Sequence, residues 1–269
     1  AKYYMESFRL PTLSARTVDR HFTRDGFEHI TKGLAAGNGV ILALPHLGVV
    51  SLAVLGAAFE AKGIGGEAPL EALRGFDVGV DIVMQALTKY QSGGSDVLMG
   101  ALVTRDAALN ERLAMAHMRL GMGVSADDAY LVMRGLPSMK LRFEAHDASA
   151  RKVAAWLKAR PEITRVLHPA FEDCPGHETW KRDFTGAGGL FSVLFDARYT
   201  EEQTDRFVDS LELFGLGYSW GGANSLVMPY RIKAIRSNWK DSGTLVRFNI
   251  GLEDTADLIA DIERALAVL

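Results

Sequence analysis

The fold of this chain is decided by the stretch GVDIVMQALTKYQSGGSDVLMG, residues 79–100, in which two apolar runs flank a glycine-containing turn. The runs at 79–86 and 96–103 predict two β-strands, because each is short, apolar and bounded by turn residues. Lys89 comes directly after the first run. An amine at this place is either an ordinary lysine leaving a strand or, where it is partly buried, a reactive group with a lowered pKa.

Polar groups next to Lys89 are suited to hold an anion. The hydroxyl of Thr88 and the backbone amides of the turn at Gly93 and Gly94 can bind a phosphate. A phosphate site beside a sheltered amine fits a lysine that forms a Schiff base with pyridoxal phosphate. Spacing alone leaves both roles of Lys89 open.

The composition excludes several classes of protein. The chain has 269 residues, 48% of them hydrophobic, which is enough for one large domain or two modest ones. Its net charge of −3 argues against a nucleic-acid partner, and it contains no apolar run of about 18 residues that predicts a membrane span. The single cysteine, Cys174, and the absence of a signal-peptide pattern favour a cytoplasmic location. Between His168 and His177 we expect a loop joined by hydrogen bonds and no bound metal.

The rest of the pattern predicts an α/β fold. Residues 37–48 predict a buried strand, residues 49–63 a buried helix, and the glycine-rich stretch 63–78 a junction between two pieces. Helices are expected at about 106–120, 126–145, 149–159, 201–213 and 254–269, strands at 163–169, 189–195 and 244–250, and a polar loop at 171–187. Pro137 is expected to break the second helix, and Asp254 to cap the last one.

Five long stretches carry a resemblance to a known family. They are GVDIVMQALTKYQSGGSDVLMG, MRLGMGVSADDAYLVMRGL, RVLHPAFEDCPGHETWKRDFTGAGGLFSV, FGLGYSWGGANSLVMP and SGTLVRFNIGLEDTADLIADIERAL. Over residues 79–269 their order and spacing resemble those of the cystathionine β-lyases, which belong to the Cys/Met-metabolism family of pyridoxal-phosphate enzymes. The resemblance implies pyridoxal phosphate as the cofactor.

This resemblance assigns roles to individual residues. Lys89 matches the lysine that forms the Schiff base, and Thr88 matches a residue that contacts the cofactor phosphate. Arg247, in TLVRFNIGLED, matches the arginine that binds the substrate α-carboxylate, and Ser219 and Trp220, in YSWGG, match residues that line the carboxylate pocket. The assignment agrees with the chemistry, because a planar guanidinium binds a carboxylate through two parallel hydrogen bonds.

The resemblance also implies an activity and a fold. The activity is elimination at the β-carbon of cystathionine, which yields homocysteine, pyruvate and ammonia. The fold is a truncated large-domain sheet of fold-type I pyridoxal-phosphate enzymes, followed by an α+β C-terminal domain. We accordingly predict an α/β domain at 1–145, of which 79–145 is lyase-like, and a C-terminal domain at 146–269. The expected partner is a small amino-acid substrate, and a homo-oligomer is left open.

The stretch before Lys89 departs from the lyase pattern. That family has a much longer upstream part, which supplies a phosphate loop, an aromatic ring stacked on the cofactor and an aspartate at the pyridine nitrogen. Here 88 residues precede the lysine, and the expected aspartate position falls in EAKGIGGEAP, while Asp77 and Asp81 lie too near the lysine. Gly94 replaces a histidine in the turn. We therefore expect cofactor binding and activity to be impaired.

Residues 1–60 resemble a different family, the bacterial acyltransferases of lipid A and of phosphatidylinositol mannosides. The resemblance lies in YYMESFRLPTLS and DGFEHITKGLAAGNGVILALPHLG. Those enzymes use a histidine as general base with an aspartate five positions later, and here His46 is followed by Ser51. The chain is interpreted as a chimera or design in which an acyltransferase-like piece, 1–62, is joined at 63–78 to the lyase-like part. Two alternatives stay open: a scaffold without catalysis, and an acyltransferase that uses His46.

Overall fold

The computed structural model describes residues 49–51, 81–235 and 239–269, all within one compact unit, Pro45–Leu269. In these ranges the strands are β1 (Val49–Ser51), β2 (Val83–Ala86), β3 (Gly100–Val103), β4 (Ile163–Leu167), β5 (Leu190–Phe195), β6 (Gly215–Leu216), β7 (Leu226–Tyr230) and β8 (Leu245–Asn249). The helices are α1 (Ala107–Leu120), α2 (Ala126–Gly135), a 3-10 turn (Leu136–Ser138), α3 (Met139–Lys158), α4 (His177–Asp183), α5 (Glu201–Asp209), α6 (Ile232–Ile235) and α7 (Thr255–Leu266). The predicted strand at 37–48 and the junction at 63–78 lie outside the described residues.

A three-stranded sheet carries the stretch around Lys89. Its strand order is β1-β3-β2, with β1 parallel and β2 antiparallel to β3. The two predicted strands are confirmed, although β2 and β3 occupy only the second half of each predicted run. The predicted helix at 49–63 is wrong at its start, because Val49–Ser51 pairs with β3. Two adjacent valines favour a strand where a free sheet edge is available.

The second sheet has five strands in the order β4-β5-β8-β7-β6. All its neighbours are antiparallel except β6 and β7. Helices α3, α5 and α7 pack on it, and the core between the helices and the sheet is aromatic at its centre. Val246 and Phe248 on β8 are fully buried in this core. Because side chains alternate along a strand, Arg247 points to the opposite face of the sheet.

Pro137 breaks the helical region as predicted. Helix α2 ends at Gly135, the proline lies in the 3-10 turn Leu136–Ser138, and α3 begins at Met139. The predicted separate helix at 149–159 is wrong, because α3 is continuous from Met139 to Lys158. Its interior contains neither proline nor glycine, and one face is held in the core by five buried residues: His146, Ala150, Val153, Ala154 and Leu157.

Side-chain hydrogen bonds fix the start of α7 and the loop before α4. The carboxylate of Asp254 caps α7 by accepting a hydrogen bond from the Ala256 amide at 2.7 Å, as predicted. The polar loop at 171–187 contains a short helix, α4, that was not predicted. Next to it a ring nitrogen of His177 lies 2.8 Å from the carbonyl oxygen of Pro169, and the Ala170 amide donates to His168 at 3.2 Å.

Two features are absent from the part of the chain that the structure describes. None of its helices is both long and apolar enough to cross a membrane. It also contains no group of three or more His, Cys, Asp or Glu side chains arranged to hold a metal ion.

The aromatic centre of the five-stranded sheet yields a stability prediction. The ring centroid of Phe248 lies 5.6 Å from that of Phe191 and 5.5 Å from that of Phe214. Phe248→Ala leaves a cavity and should lower the free energy of unfolding by about 3–5 kcal/mol in chemical denaturation. The matched control is Phe184→Ala, since Phe184 is 61% exposed and its loss should cost less than about 0.5 kcal/mol. Equal losses for the two variants would contradict the assigned core.

Candidate active site

A tight turn after β2 presents Lys89. The Lys89 amide donates to the carbonyl oxygen of Ala86 at 3.1 Å, and the Ser92 amide donates to that of Leu87 at 2.9 Å. The Ser92 hydroxyl also donates to the carbonyl oxygen of Thr88 at 3.1 Å. These bonds fix the backbone around the lysine, whose side chain is only 8% exposed. The amine therefore does not extend into bulk water.

The Lys89 amine is held by the YSWGG loop. Its Nζ donates to the hydroxyl of Ser219 at 2.9 Å and lies 4.2 Å from the centroid of the Trp220 ring. Burial lowers the pKa of the Lys89 amine below its ordinary value, and the nearby positive charge of Arg247 lowers it further. The structure thus brings together four of the five site residues predicted from the sequence.

Arg247 faces the same region from β8. Its Nη2 donates to the carbonyl oxygen of Gly217 at 3.4 Å, and its guanidinium carbon lies 6.0 Å from the ring of Tyr218 and 5.7 Å from that of Tyr230. Within the described ranges it forms no ion pair with an acidic side chain. Since Arg is an effective bidentate partner of carboxylates, this unpaired guanidinium is suited to bind the carboxylate of a ligand.

Thr88 lies beside the amine but is engaged elsewhere. It is buried, and its hydroxyl donates to the carbonyl oxygen of Met99 at 3.3 Å while accepting from the Met99 amide at 3.0 Å. The one proton of the Thr88 hydroxyl is therefore donated to Met99, in the segment before β3. Its role at a cofactor phosphate stays a prediction, and this geometry does not supply that proton to a phosphate.

Two residues that were not predicted, Tyr90 and Asn249, fix the lysine turn and the YSWGG loop to neighbouring segments. The Tyr90 hydroxyl accepts a hydrogen bond from the Gly189 amide at 2.8 Å, and Asn249 Oδ1 accepts one from the Gly221 amide at 3.2 Å. Gly221 has a φ of +76°, and a Cβ on it would lie 2.8 Å from the Tyr90 backbone nitrogen. The adjacent glycines of YSWGG were the available signal for this close approach.

A sheltered lysine beside an unpaired arginine is the arrangement expected of an enzyme that handles amino acids with pyridoxal phosphate. The family model described as Cys/Met metabolism PLP-dependent enzyme matches residues 68–267, and the chain belongs to this family. The resemblance stated for residues 79–269 is therefore confirmed, as is the family's cofactor, pyridoxal phosphate.

Individual relatives agree with this assignment. Cystathionine beta-lyase MetC of Escherichia coli is 43% identical over 199 residues, which cover 72% of this chain and 50% of the relative. The L-alanine/L-glutamate racemase of Wolbachia pipientis is 38% identical, with 72% of this chain and 48% of the relative covered. The crystal structure of metB from Corynebacterium glutamicum superposes with a TM-score of 0.64 at 36% identity, covering 71% of this chain and 50% of that one. The predicted fold class is thereby confirmed.

The match has two limits along the chain. It spans about half the length of the curated relatives. Residues 1–67 match instead the family model described as bacterial lipid A biosynthesis acyltransferase, which confirms the second resemblance. Parts of two families thus adjoin between residues 67 and 68, as expected of a chimera. His46 falls outside the described residues, so its acyltransferase role stays a prediction, as do the domain limits.

The described residues fit one end of pyridoxal phosphate. A buried amine with a lowered pKa suits the cofactor aldehyde, and an unpaired guanidinium suits the carboxylate of an amino-acid substrate. Lys89 is therefore the residue that would hold the cofactor covalently. Ser219 and Trp220 would border it at the amine.

The coupling between the two cations can be measured. Removing the guanidinium in Arg247→Met should raise the pKa of the Lys89 amine, since one of the two causes that lower it is gone. A higher pKa leaves less neutral amine at a given pH, so labelling of Lys89 by an amine-reactive ester should need a higher pH. Peptide mass spectrometry gives the labelling midpoint, with the exposed Lys158 as internal reference. Arg247→Lys keeps the charge and should stay closer to the parent midpoint; identical midpoints in all three proteins would refute the coupling.

Proposed function

We propose that the lyase-like part of this chain performs β-elimination on cystathionine, releasing homocysteine, pyruvate and ammonia, and that it does so at an impaired rate. The observation that supports this proposal is that Lys89 is only 8% exposed, with its amine 2.9 Å from the Ser219 hydroxyl. Such an amine is neutral over a wider pH range than a free lysine, which both covalent attachment and proton transfer require.

Lys89 moves the proton in this reaction. A neutral amine removes the proton from the substrate Cα, and the ammonium formed returns a proton later in the turnover. Ser219 restricts where the amine can point, and the face of Trp220 stabilises the protonated form by a cation–π contact. Both contacts keep the proton carrier at one place, which is the purpose of a positioned acid–base group.

Arg247 orients the substrate. A bidentate contact to the α-carboxylate fixes the amino acid by one end, so that its Cα–H bond is presented to Lys89. The anion also offsets the repulsion between the two cations, because it lies between positive charges that otherwise face each other. Substrate binding and lysine protonation are therefore coupled at this site.

Pyridoxal phosphate, when bound, supplies the electron sink that accepts the negative charge left at Cα, so that the homocysteine thiolate can leave from Cβ. Water then enters the overall reaction, in which cystathionine and one water give homocysteine, pyruvate and ammonia. The rate is proposed to be impaired because the part of the chain before residue 68 matches an acyltransferase. The contacts that lyases make to the cofactor ring and phosphate from their first half are therefore not expected there.

Cofactor attachment tests the proposal directly. The protein is incubated with pyridoxal phosphate, treated with borohydride to make the attachment permanent, and digested for peptide mass mapping. We expect the label on Lys89 and its loss in Lys89→Ala, because among the lysines that the structure describes this amine combines burial with the site contacts. Lys158→Ala, which alters an exposed lysine paired with Asp173, should label like the parent protein. Labelling spread over surface lysines, or none, would overturn the proposal and favour the scaffold without catalysis.

A second candidate reaction is racemisation, favoured by the Wolbachia relative. It needs the same proton transfer at Cα but no leaving group at Cβ. Release of pyruvate and free thiol in equal amounts from cystathionine identifies elimination, whereas inversion of L-alanine or L-glutamate without pyruvate identifies racemisation. Thioester hydrolysis that depends on His46 would instead support the acyltransferase alternative.

A further inference from the structure

Arg142 contacts the lysine turn from the start of α3. Its Nη1 donates to the carbonyl oxygen of Tyr90 at 2.7 Å, its Nη2 to that of Gly135 at 2.7 Å, and its Nε to the hydroxyl of Ser138 at 3.1 Å. Three short hydrogen bonds on one planar group fix its position in every direction. One guanidinium thus joins the residue next to Lys89 to the break between α2 and α3.

All three acceptors of Arg142 are uncharged. Within the described residues this arginine forms no salt bridge, and burial lowers the pKa of its guanidinium from the ordinary value. Half-burying a cation without an anion is unfavourable unless its donors are satisfied. The arrangement therefore does not act as an ion pair, and its contribution lies in holding three backbone and side-chain groups at fixed distances.

The helix break supplies the acceptor. In a continuous helix the Gly135 carbonyl would accept the amide of the residue four positions later. Pro137 diverts the chain into a 3-10 turn, in which the Met139 amide bonds to Leu136 instead. The Gly135 oxygen, which thereby loses the bond from the Met139 amide, accepts from Ser138 Oγ at 3.2 Å and from Arg142. The departure at Pro137 thus creates a site for the guanidinium.

The backbone at Gly135, where α2 ends, is also in contact with the backbone of the turn that carries Lys89. A Cβ on Gly135 would lie 2.3 Å from the carbonyl oxygens of both Gln91 and Ser92, so only glycine fits there. On the other side, the Tyr90 ring packs edge-on against Phe143, with centroids 5.1 Å apart. The turn is therefore held by α3 through both its backbone and a ring.

We infer that Arg142 is a positioning residue, which fixes the turn that carries Lys89 and thereby sets how deeply the lysine amine is sheltered against the YSWGG loop. This inference deepens the proposed function and rests on it. Arg142 does not touch the amine itself. The groups that face the amine are Ser219 and Trp220 from the loop before β7 and the charge of Arg247 from β8.

The decisive variant is Arg142→Lys, which keeps the positive charge but loses the planar fork that spans the two carbonyls. The readout is the pH midpoint of Lys89 labelling in the protein without added cofactor. A looser turn hydrates the amine, so the midpoint should rise by about half a unit or more. Arg142→Met should raise it at least as much. If the midpoint rises in Arg142→Met but not in Arg142→Lys, the positive charge of Arg142, and not its hydrogen bonds to the turn, sets the pKa of the Lys89 amine. This result would overturn the inference.

Two further variants complete the test. Arg151→Lys alters an arginine on the same helix that pairs with Asp147, and its midpoint should equal that of the parent. Ser138→Ala removes one acceptor while leaving the guanidinium in place, so it keeps the question answerable if the Arg142 variants do not fold; a smaller upward shift is expected. An unchanged midpoint in the folded variants overturns the inference. A failed cofactor attachment in the parent would overturn only the proposed function, because labelling of Lys89 does not need the cofactor.

Discussion

The hydrogen bond from the Lys89 amine to the Ser219 hydroxyl, 2.9 Å long, is the contact on which the site depends. It joins the turn after β2 to the loop before β7, two segments 130 residues apart in sequence. Beside this bond the two backbones approach closely where the loop has its two glycines, and a Cβ on Gly221 would lie 2.8 Å from the Tyr90 backbone nitrogen. A Cβ on Gly222 would lie 1.6 Å from the Ser95 hydroxyl oxygen, so a larger residue there would displace the Ser95 side chain. Shelter of the amine is thus a property of the backbone as much as of the lysine.

The sequence predicted those features that local chemistry decides. The strands flanking Lys89, the break at Pro137 and the cap at Asp254 each follow from a few neighbouring residues, and all three are confirmed. The sequence-based prediction was wrong where the secondary structure depends on a residue far away in sequence. Val49–Ser51 is a strand because it pairs with the edge of β3. The four site residues brought together were found by family resemblance, since no spacing rule links positions 89 and 247. The role of Arg142 was not predicted, because two of its three acceptors are backbone carbonyls, which leave no signature in sequence.

The charges around Lys89 and Arg247 favour the binding of an anion. Lys89 and Arg247 lie close enough for one charge to lower the pKa of the other group, and within the described ranges neither has an acidic partner. Arg142 adds a third half-buried cation held only by neutral acceptors. A fold under selection for stability alone would pair these charges or move them into water. An anionic ligand offsets this repulsion, which is consistent with the amino-acid carboxylate of the proposed function.

The join between two families separates functions that a complete lyase combines. Lys89, Ser219, Trp220 and Arg247 all lie in the part that matches the Cys/Met family, and Arg247 stands on a sheet with its own aromatic core. The amine and the carboxylate site can therefore keep their geometry whatever precedes residue 68. In the proposed function, contacts to the far end of the cofactor would have to come from elsewhere, because residues 1–67 match the acyltransferase model. Under the proposed function, the chain retains a reactive amine but holds the cofactor weakly, and we propose that cofactor binding, and not proton transfer, limits the elimination.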